Sequence, residues 1–343
     1  MKAVVCQNSE LNVRDLPDPV PGEGQVLVRV LRCGICGSDL HMRHHFDHMH
    51  ELAAKVGFAE FFGTARTPVV FGHEFCCEVL EHGPGCDRKL KPGTRVVAQP
   101  MLKSAGRVHL LGYDPQFGGG YAERMLLQET ALVPVPNGLG ADMAALTEPM
   151  AVGLHAVNRS QITPAHSAVV LGAGPVGLAV IAALRAVGVE LIVTADFSAT
   201  RRALATTMGA HQVVDPRDEP AIDVWRRLGA KGPLVIFEAV GVPGMLDAAM
   251  SDAPAGAQIL VVGVCMAPDT VRPMVAIGKE LNLQFVLGYD PLEFAESLRR
   301  IAEGEVDVAP MITGSVDIDA IPQAFADLAD PEAHAKILVE PTT

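Results

Sequence analysis

The chain has 343 residues, 49% of them hydrophobic and 20% charged, enough for full cores in two domains and incompatible with disorder, a collagen or a coiled coil. Lys and Arg number 27 against 40 Asp and Glu, a formal charge of -13, and few aromatic residues are present to stack on bases, so no nucleic-acid partner is expected. Seven cysteines, an odd number, and an opening MKAVVCQNSELNVRDLP without a long apolar run predict a reducing cytoplasm and no disulfides.

From Met1 to about Met150 short apolar runs alternate with turn residues (QVLVRVLRCG, TPVVFGHEFCCEVL, GTRVVAQP, ALVPVPNG), which predicts a strand-rich domain. From about Ala151 to Tyr289 the rhythm changes. Strand-length runs (SAVVLGAG, ELIVTADF, HQVVD, PLVIFEAVG, AQILVVGV, LNLQFVLGY) alternate with helical stretches, the pattern of a doubly wound parallel sheet. After Asp290 the segment PLEFAESLRRIAEG reads as a helix, with proline in its first turn and glycine at its end. The terminal run AKILVE is expected to return to the first domain. The charge-free stretch Ser160 to Leu184 is interrupted by Pro164, Gly172, Gly174, Pro175 and Gly177, so no membrane span is expected.

That interruption has its own chemistry. Gly172-Ala173-Gly174-Pro175-Val176-Gly177 follows the strand run SAVVL and opens the helix LAVIAALRAVG. Gly172 suits a tight turn, Gly174 the approach of a pyrophosphate, and Gly177 the packing of helix on strand, with the helix N-terminus facing the anion. Asp196 ends the next strand 19 positions beyond Gly177, where a carboxylate accepts from ribose hydroxyls and repels a 2'-phosphate. NAD is therefore expected over NADP, a preference that Arg201 and Arg202 would soften. Strand ends at Ala239-Val240 and Gly263-Val264 are expected to add cofactor contacts.

In the first domain, Cys33-Gly34-Ile35-Cys36-Gly37-Ser38-Asp39-Leu40-His41 is followed by Gly72-His73-Glu74 and by Thr147-Glu148-Pro149-Met150. A thiolate, an imidazole and a carboxylate form a zinc ligand set that leaves a fourth position exchangeable. Cys33 and Cys36 also satisfy C-x-x-C, without the surroundings of a thioredoxin-like redox motif.

With CGICGSDLH, GHEFCCEVLEHGPG, GGGYAE, EPMAVGLHAV and LGAGPVG in this order, the chain resembles the medium-chain, zinc-dependent alcohol dehydrogenase family over essentially its whole length. Glu148 stands where many alcohol dehydrogenases have a second cysteine ligand, a feature similar to the sorbitol, threonine and butanediol dehydrogenase branch. The resemblance implies an α/β protein: a GroES-like, partly open barrel from residues 1–150 and 290–343, plus a Rossmann domain from 151–289. It implies one catalytic zinc per chain on Cys36 and His73, with Glu148 as third ligand directly or through water and Glu74 exchanging on and off the metal. Asp39 would orient His73. Ser38 would take a proton from the substrate alcohol, and His41 would pass it on by way of the nicotinamide ribose. The implied reaction is reversible oxidation of a secondary alcohol or vicinal diol to a ketone with NAD, by a homodimer or homotetramer. A zinc-free quinone or enone reductase of the same superfamily would lack Cys36, His73 and Glu148. A non-catalytic NAD-binding protein would have no need of the Ser38-His41 pair.

Two local departures are legible. Gln99 to Tyr121 contains no cysteine, so the four-cysteine structural zinc of many relatives is not expected. Between His41 and Gly72 lies a longer segment, MRHHFDHMHELAAKVGFAEFF, in which a helix would carry an imidazole-rich face. Such a helix would border the substrate cleft, with Phe46, Met49, Phe58, Phe61 and Phe62 as an apolar wall suited to a substrate larger than ethanol.

Overall fold

The computed structural model describes residues 1–230 and 232–341. Strand Gln25–Gly34, with Val26, Val28 and Val30 buried on alternate positions, is the spine of the first region. It pairs antiparallel with Glu74–His82 along one edge. On its other edge residues 25–29 pair with Arg124–Gln128, while Cys33 and Gly34 pair with the chain-terminal strand Lys336–Glu340. One strand thus holds two different neighbours on the same side, which splays the sheet into a partly open barrel. The order is Leu132–Pro134, Arg95–Ala98, Glu74–His82, Gln25–Gly34, Lys336–Glu340, Ile312–Asp317, and a smaller sheet aligns Glu10–Asp15, Lys2–Gln7 and Val69–Val70.

The cysteine-free stretch forms a hairpin, Met101–Ser104 with Arg107–Leu110, closed by Ala105 and Gly106, both at positive φ. Helix Gly37–Lys55 follows the spine strand and is interrupted at His45 (φ -128°, ψ 25°).

The second region is a six-stranded, wholly parallel sheet in the order Gln212–Val214, Leu191–Ala195, Ser167–Leu171, Leu234–Glu238, Gln258–Val261, Asn282–Phe285. Its central strands are buried along nearly their whole length, as helices on both faces require. The chain is therefore mixed α/β with a doubly wound sheet. Helix Thr147–Ser160 packs on Pro175–Val187 and on Pro291–Ala302. The last of these starts on a reciprocal cap: Asp290 accepts from the amides of Leu292 and Glu293, and Glu293 accepts from that of Asp290. Glu293 also takes hydrogen bonds from His155 and Asn158, fastening this helix to Thr147–Ser160. All seven cysteines are unpaired, and among the described residues no helix is long and apolar enough to cross a membrane.

Candidate metal centre and nucleotide cleft

The chain leaves the spine strand at Gly34 and turns within two residues into helix Gly37–Lys55, with Cys36 extended at its N-cap (φ -92°, ψ 150°). The Cys36 amide donates to Asp39 Oδ2 at 3.2 Å, which closes the first turn of the helix. From the opposite strand, Gly72 at φ +97° delivers His73 and Glu74. A Cβ on Gly72 would stand 2.7 Å from the Tyr121 ring and 2.8 Å from Cys33 Sγ, so only glycine allows this turn. Cys36, His73 and Glu74 each offer a donor atom within 4.8 Å of the other two.

Asp39 is fully buried beneath this group. Tyr121 donates to its Oδ2 at 2.7 Å, Tyr113 donates to its Oδ1 at 3.1 Å, and His73 Nδ1 lies 3.3 Å from Oδ1. Burial works to raise the Asp39 pKa, but His73 and Tyr121 outweigh it and the net shift is downward. Burial works to lower that of His73, and Asp39 followed by Cys36 reverses it. An anionic Asp39 beside Nδ1 leaves the other ring nitrogen for a metal. A thiol, an imidazole and a carboxylate at this spacing fit zinc.

The two glutamates differ. Glu74 lies inside the donor group, and Lys336 Nζ contacts both its carboxylate oxygens at 2.8 and 2.7 Å. A Cβ on Gly34 would sit 2.1 Å from Glu74 Oε2, so the glycine opens the path by which this carboxylate reaches the lysine. Glu148, in the first turn of Thr147–Ser160, lies outside that three-donor group. It is hydrogen-bonded to Tyr289 and faces both His73 and Glu74. Burial first, and Glu74 next, push its carboxyl up to about 7 against the opposing pull of His73, Tyr289 and Lys336.

Ser38 Oγ donates to Cys36 Sγ at 3.1 Å and lies 2.8 Å from the Tyr113 hydroxyl. His41 is one turn further along the same helix and exposed, and among the described residues Ser38 bonds Tyr113 and Cys36 rather than His41. In the segment after His41, His48 Nε2 lies 2.9 Å from the carbonyl of Met266 across the cleft, and His50 Nδ1 lies 3.1 Å from that of Phe62. Phe46 turns into the core and stacks on Phe71, whereas Phe62 reaches the centre by packing on Tyr113, which in turn packs on His73.

Sequence patterns do not single out Tyr113, Tyr289 or Lys336. Tyr121 stands inside GGGYAE without an evident role until Asp39 is seen beside it. Lys336 carried one faint signal, as the lone cation opening an apolar strand.

In the second region Gly172 (φ +92°) ends strand Ser167–Leu171, and Gly174 caps helix Pro175–Val187, with Pro175 at its first position and Val176 next. A Cβ on Gly177 would lie 2.0 Å from Gly172 O. Asp196 closes the turn, its Oδ2 accepting from the Ala173 amide at 2.7 Å and its Oδ1 from the Ser198 amide at 2.8 Å. The two arginines separate: Arg201 Nη1 would be 4.0 Å from a Cβ on Gly174, with its Nε buried and unpaired, whereas Arg202 is bound to Asp215 and to the carbonyls of Asp196 and Phe197. Ala239-Val240 and Gly263-Val264 follow the next two parallel strands, and Glu238 Oε1 accepts from the amides of Val240 and Gly241. Val240 and Val264 leave apolar side chains exposed at the carboxyl ends of the sheet, the edge where open α/β sheets bind ligands.

Residues 22–137 match the alcohol dehydrogenase GroES-like domain, and residues 175–303 match the zinc-binding dehydrogenase model. The chain is 31% identical to (R,R)-butanediol dehydrogenase of Bacillus subtilis, with 99% of this chain and 100% of that protein covered. It is 27% identical to sorbitol dehydrogenase of the same organism, covering 95% and 92%. The crystal structure of 2R,3R-butanediol dehydrogenase from Bacillus subtilis aligns at TM-score 0.84 and 30% identity over 99% of each chain. A zinc-binding dehydrogenase structure from Sinorhizobium meliloti 1021, bound to NADP, aligns at TM-score 0.84 and 27% identity over 99% of each chain.

Proposed function

The chain belongs to the zinc-dependent medium-chain dehydrogenases and is an oxidoreductase of the alcohol type, and on that premise we propose that it interconverts a secondary alcohol or vicinal diol with its ketone, using NAD and one catalytic zinc. The observation that carries this reading is the convergence of Cys36, His73 and Glu74 within 4.8 Å over a buried Asp39. When bound, zinc would supply Lewis acidity that eases loss of the alcohol's proton, and NAD would supply the hydride-accepting group. Cys36 and His73 hold the metal, Glu74 and Glu148 serve as alternative carboxylate ligands, and Asp39 with Tyr121 fixes the His73 ring.

Ser38 receives the substrate proton. Tyr113, which touches both Ser38 and Asp39, sets the direction of that hydroxyl. From there the proton reaches solvent by way of His41, whose exposure on the cleft-side helix suits the last step of a relay. Phe62 and Tyr113 wall the substrate space, which supports a diol or larger secondary alcohol over ethanol.

Gly172, Gly174, Pro175, Val176 and Gly177 cradle the pyrophosphate, with Arg201 above the turn. Asp196 recognises the adenosine ribose and disfavours a 2'-phosphate. We assign residues 1–150 and 290–343 to the catalytic unit, supported by the pairing of Lys336–Glu340 with the spine strand, and 151–289 to the nucleotide unit. Homo-oligomerisation is supported by the sheet edge Asn282–Phe285, where Phe285 and neighbouring Met274, Ile277 and Leu287 are exposed. Free cysteines throughout support a reducing, cytoplasmic setting.

The test is NADH or NADPH formation by zinc-loaded protein on primary alcohols, apolar secondary alcohols, vicinal diols and polyols. Turnover on secondary alcohols or diols with NAD preferred is the expected result. Binding of NAD with no turnover on any class would overturn the reading.

A further inference from the structure

The strand that presents Glu74 at its start carries a second donor group at its far end. His82 closes strand Glu74–His82, Cys86 stands in the turn that follows, and Glu129 begins the short helical turn after strand Arg124–Gln128. These three side chains also offer one ligand atom each within 4.8 Å of one another. They take no part in the reaction proposed above.

The hydrogen bonds around them leave one atom unexplained. His82 Nε2 lies 2.7 Å from the carbonyl of Leu90, which can only accept, so Nε2 carries a hydrogen and Nδ1 is the ring nitrogen that faces the group. That Nδ1 is buried without a hydrogen-bond partner, in a side chain only 6% exposed, and it points toward Glu129 Oε1 at 3.3 Å. The buried, unpartnered ring nitrogen thus faces a carboxylate oxygen at a distance that a cation shared with Cys86 would bridge.

Neither neighbour is free to turn away. Glu129 accepts from the amides of Asp87 at 2.7 Å and Arg88 at 2.8 Å, and each oxygen keeps a second lone pair. Cys86 Sγ lies 3.3 Å from Gln25 O, in reach of Glu129. The turn itself is anchored by the Gly83 amide on Gln25 O at 2.8 Å, and a Cβ on Gly83 would meet Gly22 O at 2.2 Å. The nearby Lys89 is engaged by Asp87.

We propose that His82 Nδ1, Cys86 Sγ and Glu129 bind a divalent metal ion of the zinc or cobalt type, separate from the catalytic centre and completed by solvent. One thiolate and one carboxylate neutralise its charge, and the mixed sulfur, nitrogen and oxygen set favours such an ion over magnesium or calcium. Binding displaces the Cys86 proton to solvent and ties the turn after His82 to the ends of two neighbouring strands.

Metal analysis after loading with zinc or cobalt and exhaustive dialysis tests this. The intact chain should retain two equivalents, and Cys86→Ser and His82→Gln one each with alcohol turnover unchanged. Cys36→Ser should also retain one, with a thiolate-to-cobalt charge-transfer band that disappears in the Cys36→Ser/Cys86→Ser variant. Should Cys86→Ser fail to fold, peptide-resolved alkylation of the intact protein decides, with Cys86 labelling slowed by about tenfold or more when metal is added. One equivalent in the intact chain together with metal-independent labelling of Cys86 would overturn the proposal, as expected of a plain His82–Glu129 ion pair. Failure of the catalytic reading shows elsewhere, as unchanged turnover in Cys36→Ser.

Discussion

Lys336 Nζ, fully buried, sits 2.8 and 2.7 Å from the carboxylate oxygens of Glu74 and donates a further bond to the Ile35 carbonyl at 3.0 Å. Burial works to lower the lysine pKa, and Glu74 first among its neighbours reverses this, so the cation persists in the interior. The last strand of the chain thereby holds a carboxylate of the candidate metal centre. Its charge is balanced from a residue that is remote in sequence and next to it across the sheet.

Replacing Lys336 with Met should leave Glu74 buried and uncompensated, costing about 3–5 kcal/mol. Urea unfolding should register that loss, and Lys336→Met/Glu74→Gln should recover part of it. A single substitution within experimental error of the parent would show that the pair carries no such role.

Gly177→Ala would place a Cβ 2.0 Å from Gly172 O, which only movement of the turn relieves. Overpacking of this kind costs about 1–3 kcal/mol. Because this turn is the one proposed to cradle the cofactor, NADH affinity by fluorescence titration should fall well before the fold is lost.

Asp196 receives two backbone amides and is the residue proposed above to recognise the adenosine ribose. Asp196→Ser should raise the ratio of NADP to NAD kcat/KM by about tenfold or more, roughly 1.4 kcal/mol. An unchanged ratio would remove Asp196 as the selector and leave Arg201 to be tried.

Tyr113→Phe removes the hydroxyl between Ser38 and Asp39. With a hydrogen bond to a charged group worth about 1.5–3 kcal/mol, kcat should fall by about tenfold or more while zinc content stays unchanged. Equal effects on zinc content and kcat would mean that the tyrosine merely supports Asp39.

On helix Pro291–Ala302, Arg299 and then Arg300 hold the Glu296 carboxyl down to about 2 against the opposing effect of burial. A depressed carboxylate stabilises the fold above its ordinary value of 4.5, and that contribution is lost as pH falls toward about 2. At this partly exposed site it is worth about 0.5–1 kcal/mol after solvent screening. Urea unfolding should therefore separate Glu296→Gln from the parent at pH 7 and bring the two together at pH 2.

Local signals account for what the sequence makes legible. The glycine turn at residues 172–177 and the capped helix Pro291–Ala302 are dictated by backbone geometry within a few residues, so they read directly from composition and spacing. The apolar run AKILVE announces a strand, but its partner, Cys33 and Gly34, is chosen by tertiary pairing. For the same reason Lys336 on Glu74, Tyr121 on Asp39 and Tyr289 on Glu148 have no spacing rule. Each is a polar group brought from a distant element to satisfy a buried carboxylate. Phe46 shows the converse: the helical spacing places it on a face, and only packing against Phe71 decides that the face is core rather than cleft.

The most direct test of the catalytic centre is turnover and metal content of Cys36→Ser beside the parent protein, with a secondary alcohol or vicinal diol and NAD. Loss of one equivalent of zinc and of NADH formation, with NADH binding retained, is the result that the convergence of Cys36, His73 and Glu74 predicts. An unchanged turnover number in that variant would contradict it.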